Sequence, residues 1–328
     1  YLLLMIEETY FPDIIGQDRV KKALGFYIDG FKETNCIPHL MFTAPRGCGK
    51  TTMATAMAKN LYVDDSIKPL ITINCSTIKS LKQFFNMIVI PHMVERDATV
   101  LFDECSELPK DVTMALLTIT NPNKENRNEF SYEDYNVTFD FRRLSFMFAT
   151  TEGQSIFHAL MDRMERIDLE EYKLDELGQI VMMGLDGYTV DKKTLESISS
   201  VLRGNARAGQ KMAMKMKLYL DAKNKKHLDN KDWKELCSKL GILPLGISVQ
   251  ELNLMRYMAR KKATRLTELA AITGLSKGAI QKDYELYLSK MGLMEIQPEG
   301  RSLTTKGLEY LNELDGVKKD KSDKTSKK

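Results

Sequence analysis

Residues 44–52 read APRGCGKTT, and their types and spacing suit the holding of a phosphate chain. Gly47 and Gly49 let the backbone turn so that its N–H groups converge on an anion. Lys50 adds a positive charge for the β- and γ-phosphates, Thr51 a hydroxyl for Mg²⁺, and Thr52 a further contact. Cys48 lines the loop as a small residue that fits there. The helix expected from Thr51 aims its positive end at the same anion. A second stretch, TVLFDE at 99–104, is an apolar strand ending in two acids. Asp103 is placed to hold Mg²⁺ through water, and Glu104 to polarise an attacking water.

Such groups need a scaffold that brings strand ends together. HLMFTA (39–44), LITIN (70–74), TVLFD (99–103) and LSFMFAT (144–150) are apolar runs of strand length, each closing on a polar residue. Helical patterns lie between most of them, which predicts an α/β parallel sheet with helices on both faces. EFSYEDYNVTFDF (129–141) alternates in part around an acidic turn and predicts an inserted β-hairpin. From about 173 to 240 apolar residues recur at helical spacing. GILPLGIS (241–248) reads as a linker, and 249–314 as three helices followed by two short strands. The expected domains are therefore 1–170, 171–243 and 248–314, with a disordered tail at 315–328 that holds six lysines.

Bulk composition excludes more than it assigns. The chain of 328 residues has a net charge of only +3, so any surface for nucleic acid must be local. Five scattered cysteines without a C-x-x-C pair imply neither a zinc site nor a disulfide framework. The opening YLLLMI is too short for a signal peptide, and no apolar run reaches membrane-spanning length.

FPDIIGQDRVKKAL (11–24), LFDECSELPKDV (101–112) and the pair FATTEG and ALMDRMER (148–166) resemble the AAA+ ATPases, and among them the RuvB family of Holliday-junction branch-migration motors. The resemblance runs from Phe11 to Leu311. It implies ATP and Mg²⁺ as ligands and a bacterial, cytoplasmic setting. Thr151 matches the polar sensor that reads the γ-phosphate. Leu160-Met161-Asp162-Arg163 matches the arginine-finger pattern, which selects Arg163 over Arg166 and points it at a neighbouring subunit. RGNAR (203–207) matches the second sensor and assigns Arg207 to its own subunit's phosphates. Ile15 and Tyr172 are candidates for adenine contact or for ordinary packing. The resemblance also implies a homo-oligomeric ring or partial ring.

Departures from the family qualify this. The hairpin turn YEDY (132–135) is acidic and aromatic, where the family's hairpin is more apolar and docks on RuvA. That puts RuvA itself in doubt and implies another adaptor, as a divergent or phage-encoded member would use. In 249–311, which reads as a winged helix, Ser276 is a helix N-cap. Lys277, Gln281 and Lys282 lie off the expected core face and are candidates for DNA contact, as is Arg301 beside the wing turn. Glu299 replaces a second wing arginine of the family. The leading expectation is an ATP-driven motor on double-stranded or branched DNA. A clamp loader, helicase loader or replication initiator is the alternative, and a non-hydrolysing ATP-binding scaffold the third reading.

Overall fold

The structure, a computed structural model, describes residues 10–153, 156 and 158–325. The opening YLLLMI lies outside the described residues. The chain divides into two compact units between Trp233 and Lys234.

The first unit is built on a five-stranded, wholly parallel sheet. Its strands are β1 (His39–Thr43), β2 (Leu70–Asn74), β3 (Ala98–Asp103), β6 (Leu144–Thr150) and β7 (Met164–Asp168), in the order β2-β3-β6-β1-β7. Side chains alternate across the sheet and feed two cores. Val100, Phe102, Phe146 and Phe148 enter one core with Phe84, Phe85 and, from α3 (Lys110–Ile119), Val112. Leu40, Phe42, Leu101 and Met147 enter the other with α1 (Asp18–Thr34) and α2 (Lys50–Ala58). Phe102 and Phe148 stack at 4.7 Å between centroids. Both faces are therefore covered, as the continuous apolar runs require.

The edge strand β7 is not among the strands expected from sequence. Its residues, MERID, bury only Met164 and Ile167 and expose three charged side chains. An edge strand pairs on one side only, so alternation with charges replaces the apolar run that marks its neighbours. Arg166 lies on this edge and pairs with Asp168 at 2.7 Å.

The expected hairpin forms between β4 (Arg127–Tyr132) and β5 (Tyr135–Asp140), in register Tyr132 to Tyr135. Glu133 and Asp134 make the turn and are exposed, and Glu133 adopts φ 49°. Phe130 and Tyr132 stack on Phe85 at 5.5 and 4.7 Å, which ties the turn end of the hairpin to the core. Three helices follow in the same unit: α4 (Leu174–Met183), α5 (Lys192–Ser200) and α6 (Ala206–Ala222). They bury Leu177, Val181, Ile198, Ala213 and Met216. Another helix, α7 (Asn230–Leu240), spans the division between the units.

The second unit contains α8 (Val249–Met258) and α9 (Leu266–Thr273). Lys277–Ala279, a π-helical turn Ile280–Glu285 and Leu286–Lys290 then run without a break as α10. The wing is β8 (Met294–Gln297) paired antiparallel with β9 (Gly300–Leu303). Gly274 ends α9 with φ 70°, and the Ser276 hydroxyl accepts from the Ala279 N–H. α11 covers Thr305–Thr325.

Candidate nucleotide-binding site

Sheet register explains why the motif residues meet. Thr43 pairs with Thr150, and Asp103 with Ala149, so β1, β6 and β3 end on one rim. The loop 44–49 leaves from β1, Asp103 and Glu104 close β3, and Thr150 and Thr151 close β6. The carboxyl ends of parallel strands are the usual place for a ligand in such sheets.

A cavity of about 200 Å³ opens there. It is lined by Gly47, Gly49, Lys50, Thr51, Thr52, Asp103, Glu104, Thr150 and Thr151 from the sheet side. Arg46 of the loop lines it too, as do Ala206, Arg207 and Gln210 from α6. Gly47 and Gly49 have φ 84° and 87°, which an L side chain rarely adopts. The Thr51 hydroxyl donates to Asp103 Oδ2 at 2.9 Å. A hydroxyl and a carboxylate at that separation can share one divalent cation, so the pair fits Mg²⁺. The Lys50 ammonium donates to the Ala44 and Pro45 carbonyls at 2.8 and 3.1 Å. Burial pushes its pKa below the ordinary lysine value, with Cys48 and Asp103 opposing the shift. Glu104 is exposed, at φ 55°, a sparsely populated conformation for a non-glycine residue.

The helical subdomain is fastened to this loop by a residue the sequence reading passed over. Asn205 caps α6 by accepting from the Ala208 N–H at 3.0 Å. Its amide also donates to the Arg46 carbonyl at 3.1 Å. Its Oδ1 lies 2.3 Å from where a Cβ on Gly47 would stand, so a side chain there would displace the Asn205 amide as well as strain the dihedral. The Arg207 N–H adds a bond to the Gly47 carbonyl at 3.4 Å. A second clamp was also missed. The Gln17 amide donates to the Glu170 carbonyl at 2.7 Å and accepts from the Glu170 N–H at 3.1 Å. Both residues stand inside motifs quoted from the sequence, IIGQ and RGNAR, and that adjacency was the only signal.

The remaining candidates are spread unevenly. Cys48 is buried, with its thiol 3.9 Å from the Gly204 carbonyl. The Tyr172 hydroxyl lies 2.9 Å from where a Cβ on Gly49 would stand. Ile15 lines neither this cavity nor the larger one beside it, of about 500 Å³. Ile14, Phe11 and Tyr10 line the larger one, which shares Thr51 and Thr52 with the first. Arg163 is absent from its own chain's cavity. Its guanidinium donates to the Ala159 carbonyl and, at 3.3 Å, to Asn121 Oδ1, and its Nε is buried without a partner among the described residues.

In the second unit Lys277, Gln281 and Lys282 are exposed on α10. Arg301 is not. It makes a two-pronged ion pair with Glu285 at 2.8 and 3.2 Å, with both side chains largely buried. The donors of Arg301, a residue expected to contact DNA, are here turned toward Glu285. Glu285 sits among apolar residues in the chain and gave no sign of this pairing.

Residues 40–172 match the model of the ATPase family associated with various cellular activities, AAA. The chain is an AAA+ ATPase. Residues 244–312 match the RuvB C-terminal winged helix domain, and the whole is a RuvB-like AAA+ ATPase. Similar proteins include the Holliday junction branch migration complex subunit RuvB of Campylobacter hominis. It is 23% identical over 325 residues, covering 93% of this chain and 90% of the relative. The subunit of the same name from a Wolbachia species of Brugia malayi is 23% identical, covering 94% of each. The solved Thermotoga maritima RuvB Holliday junction branch migration motor superposes with a TM-score of 0.73 at 20% identity. That match covers 94% of this chain and 98% of the other.

Proposed function

We propose that this chain is an ATP-driven motor acting on double-stranded or branched DNA. It turns over ATP at the subunit interfaces of a ring or partial ring in the bacterial cytoplasm. The observation that carries this reading is the single cavity at which the phosphate loop, the β3 acids, the β6 terminus and Arg207 meet. The same chain carries the winged helix, and its relatives are named for branch migration.

The loop N–H groups between Gly47 and Gly49 hold the phosphates, and Lys50 leaves its two carbonyl acceptors for the β- and γ-oxygens. Thr51 and Asp103 would hold Mg²⁺, which would supply neutralisation of phosphate charge. Glu104 and Thr151 orient the attacking water, and Arg207 stabilises charge as the bond to the leaving group lengthens. Adenine sits in the adjoining cavity between Ile14 and α2, with Tyr172 closing over Gly49. Arg163, withheld from its own site, leaves Asn121 to complete the site of the next subunit. On the β4–β5 hairpin, Glu133 and Asp134 suit an adaptor with a basic surface better than one with an apolar groove.

ATP turnover measured across chain concentration, with and without duplex and four-way junction DNA, tests the reading. Turnover rises with both assembly and DNA. A chain that binds ATP but never turns it over, at any concentration or with any DNA, contradicts it.

A further inference from the structure

We infer that the wing-side contact to the phosphate backbone of duplex DNA is made by Arg260, Lys262 and Arg265 in the loop between α8 and α9. This rests on the DNA-motor reading above and assigns the contact to residues outside the wing. The segment RYMARKKATR (256–265) holds five cations and no carboxylate. By contrast the wing, MEIQPEGRSL (294–303), holds Glu295, Glu299 and a single arginine. That arginine, Arg301, is spent on Glu285. The wing turn thus offers an approaching phosphate a carboxylate and no available cation.

The backbone brings the basic segment to the place left open. Thr264 and Arg301 exchange both N–H···O bonds at 2.8 Å, an antiparallel bridge that adds the segment to β9. β9 leads away from the wing turn, so the antiparallel chain after Thr264 leads toward it. Gly300, at the turn, would place a Cβ 3.2 Å from the Arg265 N–H nitrogen. Arg265 therefore stands beside the turn where a wing arginine would reach out.

Within the segment the cations differ in how they are held. Arg256 pairs with Asp315 at 3.0 Å, and Lys261 pairs with Glu268. Arg260 lies over the Tyr257 ring at 5.2 Å. Arg260, Lys262 and Arg265 are exposed, and none has an ion pair among the described residues. Three such cations on one short loop make a contact that neutralises phosphates without reading sequence.

The test is binding of the full chain to a fluorescein-labelled duplex, read by anisotropy over a series of salt concentrations. Each phosphate contact contributes about 0.9 to the slope of log affinity against log salt. Arg260→Gln, Lys262→Gln and Arg265→Gln together should lower that slope by about 2 to 3. Arg301→Gln should leave it unchanged. If the triple variant melts below wild type, Arg265→Gln alone carries the test with a slope loss of about 1. Wild-type binding whose slope survives the triple substitution overturns the inference. So does a slope loss that follows Arg301→Gln. A wild-type chain that does not bind duplex at all sinks the DNA reading, and this assignment with it.

Discussion

At the scale of single residues, the nucleotide site is a set of side chains that each hold a second job. Lys50 waits on two carbonyls, Thr51 on Asp103, and Arg163 on Asn121. Asn205 is the most economical of them, since one amide both caps α6 and grips the phosphate loop. Asn205→Ala removes a cap, which costs about 1 kcal/mol, and a loop contact of similar size. The expected result is a small loss of stability and a weakening of ATP binding by about tenfold, measurable by calorimetry. Asn205→Asp keeps the cap and loses the donor to the Arg46 carbonyl, so it should restore stability more than affinity. The loop glycines, Lys50 and the β3 acids were legible in sequence because each chemical role demands a residue type at a fixed spacing. Asn205 and Gln17 were not, because an amide bonded to backbone leaves no pattern in the partner's sequence.

At the scale of elements, the parallel strands that carry the site read clearly from their apolar runs, while β7 did not. Three of the five residues of MERID are charged because an edge strand faces solvent on one side, and only its pairing with β1 reveals it. The C-terminal part of α11 likewise carries no apolar run that would mark it in sequence. The Glu285–Arg301 pair is a third case of a relation between elements. It joins the π-helical part of α10 to β9 with 6% and 14% of the side chains exposed. Removing one partner strands a buried charge and should cost about 3 kcal/mol, whereas Glu285→Leu with Arg301→Leu should recover most of it. Urea midpoints of the single and double variants check this, and equal losses in all three would contradict it.

His39 opens β1 against Phe141 and Phe146, at 4.5 and 5.7 Å between centroids. Burial lowers its pKa from 6.5 to about 4. The unfolded chain therefore takes up this proton first as acid is added. The stability held by the neutral ring is complete above about 6.5 and drains away as pH falls toward about 4. His39→Gln should flatten that part of the urea-midpoint profile relative to wild type. An unchanged profile would show that the ring titrates without cost.

At the scale of the whole molecule, the proposed motor divides its labour between subunits. Each chain supplies the phosphate loop, the acids and Arg207 to its own cavity and keeps Arg163 out of it. In sequence, only the resemblance distinguished Arg163 from Arg166, since both follow the same apolar stretch. The structure separates them physically, with Arg166 on the β7 edge beside Asp168 and Arg163 on the preceding turn. Mixing two inactive variants measures the division directly. Arg163→Ala should bind ATP normally and lose turnover by a factor on the order of 10³, and Lys50→Ala should lose it by failing to hold the phosphates. Combined in one assembly, interfaces pairing an intact loop with a neighbour's intact Arg163 should regain activity in proportion to their statistical share. Full turnover by Arg163→Ala alone, or no recovery in mixtures that demonstrably co-assemble, would contradict the account.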